Sequence, residues 1–103
     1  MRTIKPQDFT GSRAWEALDI ERIDDATIRL HWTDQPYRWH VNDGPEVFVV
    51  LDGEVDMHTR AEGVEAVQRL GRGDIFHAQE GDAHVAHPVG PARVLVIERA
   101  GSV

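Results

Sequence analysis

Turn signals divide the second half of this 103-residue chain into segments of nearly equal length. From residue 43 onward, a turn that contains Gly recurs about every ten residues, a spacing typical of all-β sandwiches and barrels. The turns are Asp43-Gly44-Pro45, Asp52-Gly53, Glu62-Gly63, Gly71-Arg72-Gly73, Gly81-Asp82 and Gly90-Pro91. Asp52-Gly53 is the strongest hairpin signal, because a type I′ turn needs positive φ at both of its central residues.

The composition predicts one globular domain that spans residues 1–103, since 41% of the residues are apolar. Eighteen acidic residues against 11 basic ones give a formal net charge of −7, which disfavours nucleic acid and anionic membranes as partners. The absence of cysteine excludes disulfides and thiolate metal sites and fits a cytoplasmic protein.

Alternation of apolar and polar residues predicts individual strands. In residues 26–32, one face carries Ile28, Leu30 and Trp32 and the other carries Thr27, Arg29 and His31. In residues 54–60, Val55 and Met57 share one face, and the polar side chains of the other face point to water. Residues 12–20 fit either a short helix or a strand that begins near Trp15.

Two stretches, residues 47–51 and 94–97, are apolar on both faces of a strand. A strand buried on both faces needs cover on its second face, and in so small a protein a second subunit is the natural source. We therefore predict a homodimer, with residues 1–25 as N-terminal strands or an arm that reaches the dimer contact. Residues 26–99 would then form the barrel.

Potential metal ligands occur in two clusters. The first is His40-x-Asn42-x-x-x-Glu46, and the second ends at His84. Two histidines and a carboxylate are the composition of a transition-metal site with open coordination positions. Phe48 and Val50 share the parity of Glu46 and are predicted to line an apolar pocket around these ligands.

The spacing of the two clusters resembles the cupin superfamily, and in particular its small single-domain members of the cupin 2 type. This chain keeps His40, Glu46, Gly53, Gly73, Gly81 and His84 at the spacings of the two cupin motifs, which cover residues 40–88. It departs from them with Asn42 in place of the second histidine, and with Asp34, Gln79 and Pro88 at turn positions. The resemblance implies a double-stranded β-helix, a jelly-roll-like cupin barrel.

The resemblance also implies that His40, Glu46 and His84 hold a divalent transition metal, either Fe, Mn, Zn, Ni or Cu, or that the pocket no longer binds metal. Asn42 is either a ligand, a contact of the ligands or a turn former, since Asn-Asp-Gly-Pro is strong turn chemistry. His77 would join the pocket if the face that it shares with Ile75 points inward. For His31, His58 and His87, structural roles are the better interpretation.

The sequence supports three functions. The first is a metal-dependent enzyme on a small molecule, of the dioxygenase, isomerase or decarboxylase type, with Glu46 as a candidate catalytic base. The second is a non-catalytic module that binds a small molecule or a metal, which the replacement at Asn42 favours. The third is a structural dimer with a vestigial pocket. Fold alone does not choose between them.

Overall fold

The computed structural model describes residues 1–102, and its regular secondary structure is almost entirely β-strand. A single 3-10 helix covers Pro6–Asp8. The strands are β1 (Glu16–Ile23), β2 (Ala26–Thr33), β3 (His40–Val41), β4 (Glu46–Ala61), β5 (Val64–Leu70), β6 (Ile75–Ala78) and β7 (Ala83–Arg99). The all-β prediction is confirmed, and residues 12–20 lead into a strand rather than forming a helix. No helix among residues 1–102 is long and apolar enough to cross a membrane.

All strand pairs are antiparallel, and the long strands β4 and β7 connect the rest. The strand order is β1-β2-β7-β4-β5, while β3 also pairs with β7 and β6 with β4. The pairing of β4 with β7 shifts register between Val50 and Glu54. The first half of β4 therefore belongs with β1, β2 and β6, and its second half belongs with β3 and β5.

The sheet folds back on itself at these irregularities. His84 is the cross-strand partner of Thr59, which lies thirteen residues after Glu46 on the same strand. A straight strand would place Thr59 roughly 43 Å from Glu46. Nevertheless, Nε2 of His84 lies 3.0 Å from Oε1 of Glu46. The two halves of the sheet are thus stacked layers, which confirms the predicted double-stranded β-helix.

The predicted hairpin at Asp52-Gly53 is wrong, because β4 runs on through both residues. Gly53 has a φ of 79°, and a Cβ on it would lie 2.5 Å from the carbonyl oxygen of Pro91. Gly53 therefore marks the bend of β4 where it passes close to the bend of β7. The two-residue turn lies instead at Glu62-Gly63, where both φ angles are positive and the flanking Ala61 and Val64 are paired.

The core lies between the two layers. Val55 and Met57 are fully buried there, which confirms the inward face predicted for residues 54–60. The remaining buried members of the core come from β4, β5 and β7: Phe48, Val50, Leu70, Ala86, Ala92, Val94 and Val96. Side chains from both halves of β4 meet in this one cluster, so burial of apolar surface stabilises the folded-back sheet.

The layer that contains the first half of β4, which we call the first layer, is also apolar on its outward face. Leu30 is only 1% exposed although it points away from the core cluster. The N-terminal segment is tied to this layer, since Nε of Arg93 donates to the carbonyl of Phe9 and its Nη2 donates to Oγ1 of Thr10. Farther along this face, Val47 and Ile97 are only partly buried. The N-terminal segment before β1 thus covers part of this face.

Candidate metal centre and cavity

Three side chains from three strands meet at one end of the cavity between the layers. His40 begins β3, Glu46 begins β4, and His84 lies at the start of β7. His40 and His84 are cross-strand partners, and their ring centroids are 4.3 Å apart. One ligand atom from each of the three residues lies within 4.8 Å of the others. The structure therefore brings together the three ligands predicted from the sequence.

Asn42 links Glu46 and His84. Its Nδ2 donates to Oε1 of Glu46 at 3.3 Å, and its Oδ1 lies 2.8 Å from Nε2 of His84. Since Nε2 of His84 faces two acceptors, it carries the proton in this arrangement. The backbone of Asn42 also bonds to Asp82 and Gly81. Asn42 is thus both a turn residue and a buried contact of the candidate ligands.

The donor set fits a first-row transition metal. Two donors about 2.1 Å from one ion lie about 3.0 Å apart at a right angle, as Glu46 Oε1 and His84 Nε2 do here, and at most about 4.2 Å apart. The three ligand atoms lie within 4.8 Å of one another, so a small side-chain adjustment brings all of them to one ion. Two nitrogen donors and one carboxylate suit several such ions. Among residues 1–102, the buried side-chain atoms without a partner are Nδ1 of His84 and Nε1 of Trp15, and both residues line this cavity. Unsatisfied buried polar atoms are rare, and here both belong to residues of the cavity wall.

The cavity next to these ligands has a volume of about 230 Å³. Phe48 lines it, as predicted, together with residues of both layers: Trp15, Arg29, His31, Tyr37, His40, Glu46, His84, Ala86, Val96, Glu98 and Ser102. The lining combines aromatic rings with a few polar groups, which is typical of small-molecule sites.

Two predicted pocket residues lie elsewhere. Val50 is fully buried in the core cluster and does not line the cavity. The prediction that His77 joins the pocket is wrong, because His77 pairs with Val47 on the outward face and is exposed. Its Nε2 contacts the side chain of Gln79 instead. His58 and His87 also lie outside the cavity, with their rings 4.2 Å apart.

The sequence interpretation missed the contribution of β2 to the cavity. Arg29 and His31 line it, although a structural role was the preferred interpretation of His31. The apolar face of β2, which includes Leu30, points outward. In a barrel that encloses a cavity, the polar face of a strand can be the inner one. The sequence did contain a signal for this face, because His31 and Arg29 lie on the same side of the alternating strand.

Two titratable groups of the cavity have pKa values shifted from their ordinary ones. Burial, followed by the nearby carboxylates of Glu46 and Asp43, raises the pKa of Glu98 to about 7. Burial lowers the pKa of His31, while its contact with the Trp15 carbonyl partly opposes that shift. At neutral pH, the cavity therefore contains a neutral imidazole and a carboxyl group that is partly protonated.

Comparison with solved structures found proteins of the same fold. A cupin-2 domain protein from Shewanella frigidimarina matches over 86% of this chain and 84% of its own, with 21% identity and a TM-score of 0.76. A double-stranded β-helix protein from Klebsiella pneumoniae matches over 100% and 96%, with 21% identity and a TM-score of 0.74. Hydroquinone 1,2-dioxygenase PnpCD, solved in complex with Fe3+, matches over 87% of this chain and 29% of its own, with 16% identity and a TM-score of 0.78.

Neither a scan of protein-family models nor a search of curated proteins found a match. At identities of 21% or less, the structural similarity establishes the fold alone.

Proposed function

We propose that this chain, whose fold is that of a cupin domain, holds a divalent transition metal on His40, Glu46 and His84 and acts on a small molecule in the adjoining cavity. The convergence of these three side chains within 4.8 Å carries the proposal. A three-residue ligand set leaves coordination positions open, and a metal bound there supplies a Lewis acid or a centre for dioxygen chemistry.

The surroundings of the cluster support an enzyme of the dioxygenase, isomerase or decarboxylase type. Glu46 and His84 are less than 10% exposed, so bulk water does not compete freely for them. Tyr37 and Phe76 pack against the imidazoles of His40 and His84, respectively, and restrict their orientation. If Glu46 is not engaged by metal, its carboxylate is placed to accept a proton in the cavity. The dioxygenase PnpCD, which matches in fold, was solved with Fe3+.

A second candidate function is small-molecule binding without metal, and the contacts of Asn42 favour it. The Asn42 amide satisfies both Nε2 of His84 and Oε1 of Glu46 within the protein. A cluster closed by its own hydrogen bonds holds its shape without an ion. The cavity would then act as a binding or sensing site.

Metal analysis of purified protein separates the two functions. We expect native protein, loaded with Fe, Mn or Zn and then desalted, to retain stoichiometric metal by mass spectrometry. His40→Ala and His84→Ala should lose most of it, because each removes a ligand. His77→Ala is the matched control, since His77 is exposed and outside the cavity. Sub-stoichiometric metal that is the same in all four proteins would contradict the metal centre.

A further inference from the structure

The β2 wall of the cavity, which we define as Arg29 and His31, carries polar groups that the proposed metal centre does not use. The two residues alternate on β2, so their side chains point the same way, into the cavity. They belong to the layer that contains the first half of β4, whereas His40 and His84 pair within the other layer. A ligand between the layers would therefore meet both groups of residues.

His31 presents a hydrogen-bond acceptor to the cavity. Its Nδ1 lies 3.3 Å from the carbonyl oxygen of Trp15. A carbonyl only accepts, so Nδ1 carries the proton and Nε2 is left with its lone pair. Within residues 1–102, Nε2 has no hydrogen-bond partner, and it is not among the fully occluded unpartnered atoms. The lowered pKa of His31 keeps the ring neutral, so Nε2 remains an acceptor.

Trp15, whose carbonyl contacts His31, has an unusual backbone conformation. Trp15 has a φ of 61°, in the left-handed region that bulky residues rarely adopt. Its ring also packs edge-on against His31 at 6.0 Å and against Tyr37 at 5.2 Å. Strained conformations of this kind persist where the surrounding structure requires them, and they concentrate at functional sites.

Arg29 presents hydrogen-bond donors and a positive charge. Its Nε donates to Oδ1 of Asp19 at 2.7 Å, which fixes one edge of the guanidinium. The terminal nitrogens have no partner among the described residues 1–102. A guanidinium with a free edge binds a carboxylate in a bidentate manner. Asp19 is 83% exposed, so its carboxylate is solvated and does not fully neutralise this charge within the cavity.

We propose that the β2 wall binds a small hydroxy acid, with its carboxylate on Arg29 and its hydroxyl donating to Nε2 of His31. The Arg29 guanidinium, a cation with free hydrogen-bond donors, favours an anionic group. The unpaired acceptor Nε2 of His31 beside it favours a hydrogen-bond donor on the same molecule. The rings of Trp15, Tyr37 and Phe48 offer apolar contact for the rest of the ligand. The inference rests on the proposed function, because this acid would be the small molecule presented to the metal centre.

Calorimetric titration with three related probes tests the proposal. Mandelate carries both groups, phenylacetate lacks the hydroxyl, and mandelamide lacks the charge. We expect zinc-loaded native protein to bind mandelate about tenfold more tightly than either of the others. Arg29→Gln should remove the preference over mandelamide and leave the preference over phenylacetate. His31→Phe should do the reverse.

Two control variants and a metal-free titration separate this proposal from chelation of zinc by the probe. Arg22→Gln and His58→Phe change residues outside the cavity and should retain both preferences. Chelation alone predicts preferences that disappear with EDTA and are unchanged by Arg29→Gln and His31→Phe, and that result would overturn the proposal. Equal affinity of native protein for the three probes would also overturn the proposal. This result needs no variant, so the proposal can be tested even if a variant misfolds.

The same samples distinguish failure of this inference from failure of the metal centre. Metal content is measured in every protein that is titrated. Preferences that persist in EDTA-treated protein and respond to the variants would support the β2 wall even if no metal is retained. Stoichiometric metal combined with the absence of both preferences would overturn the β2 wall alone.

Discussion

The amide oxygen of Asn42 accepts a hydrogen bond from Nε2 of His84 at 2.8 Å. A metal would need the lone pair of that nitrogen, so binding must displace the proton and break this bond. The bond therefore competes with metal at the candidate centre. This competition makes position 42 the most informative place to test how the cluster works.

We expect Asn42→His to tighten zinc binding by about tenfold or more, because an imidazole is a better donor than an amide to this class of metal. Competition with a chromophoric chelator would measure the change. Asn42→Leu is the control, since it removes the hydrogen bond without adding a ligand. If Asn42→His and native protein bind zinc equally, the side chain at position 42 does not face the metal.

Gly53→Ala should lower the free energy of unfolding by more than about 2 kcal/mol. Gly53 combines positive φ with a Cβ position 2.5 Å from the backbone of Pro91, so both strain and a clash arise. Gly63→Ala is a matched control with a φ of 77° and no atom within 4 Å of its Cβ position. It should cost only about 1 kcal/mol. Equal shifts in the urea midpoints of the two variants would show that the approach of the two bends is not important.

The ligands and the fold could be predicted because motif spacing and strand parity act over short distances. Glu46 and Phe48 share a face of one strand, and the register of β3 with β7 pairs His40 with His84. The bend at Gly53 was not predictable in the same way. Asp-Gly supports a hairpin or a bulge equally well, and only the packing of β4 against β7 decides between them.

The sequence did not reveal which face of β2 points inward, because that choice depends on both the cavity and the N-terminal segment. Burial normally assigns the apolar face of a strand to the core. Here Leu30 is buried on the outward face, in the layer to which the N-terminal segment is tied, which leaves His31 free to face the cavity. The prediction for His77 was wrong for the complementary reason. Ile75, which shares its face of β6, is 65% exposed, so that face points outward. Alternation identifies two faces but not which one encloses a site.

The raised pKa of Glu98 predicts how stability depends on pH. The unfolded chain releases this proton near pH 4.5, whereas the folded protein holds it up to about pH 7. The folded state therefore binds more protons in this window, and its stability falls as the pH rises from about 4.5 to 7. We expect Glu98→Gln to remove this component, so the variant should gain stability relative to native protein at pH 8 but not at pH 4.

Urea denaturation with EDTA present would measure this effect at both pH values. Glu80→Gln, at an exposed position, is the control for loss of one negative charge. If Glu98→Gln and native protein keep the same stability difference at pH 4 and pH 8, the carboxyl of Glu98 is not held protonated by the fold.

The outward face of the first layer predicts a homodimer. Ile75 is 65% exposed, and its cross-strand partner Val49 is partly buried on the same face. Val47 and Ile97 continue this face along β4 and β7 and line a surface groove with Pro45. Contiguous apolar surface of this kind marks an interaction site, and a second copy of the chain is the partner that we expect.

Ile75→Glu tests the dimer with little risk to the fold, because the side chain is already exposed in one chain and a charge there costs little until a partner covers it. We expect native protein to elute from gel filtration at the dimer mass and Ile75→Glu to shift toward the monomer. Val67→Glu is the matched control, since Val67 is 57% exposed on β5, in the other layer. Native protein at the monomer mass would refute the prediction, and equal shifts in both variants would assign the contact to a different surface.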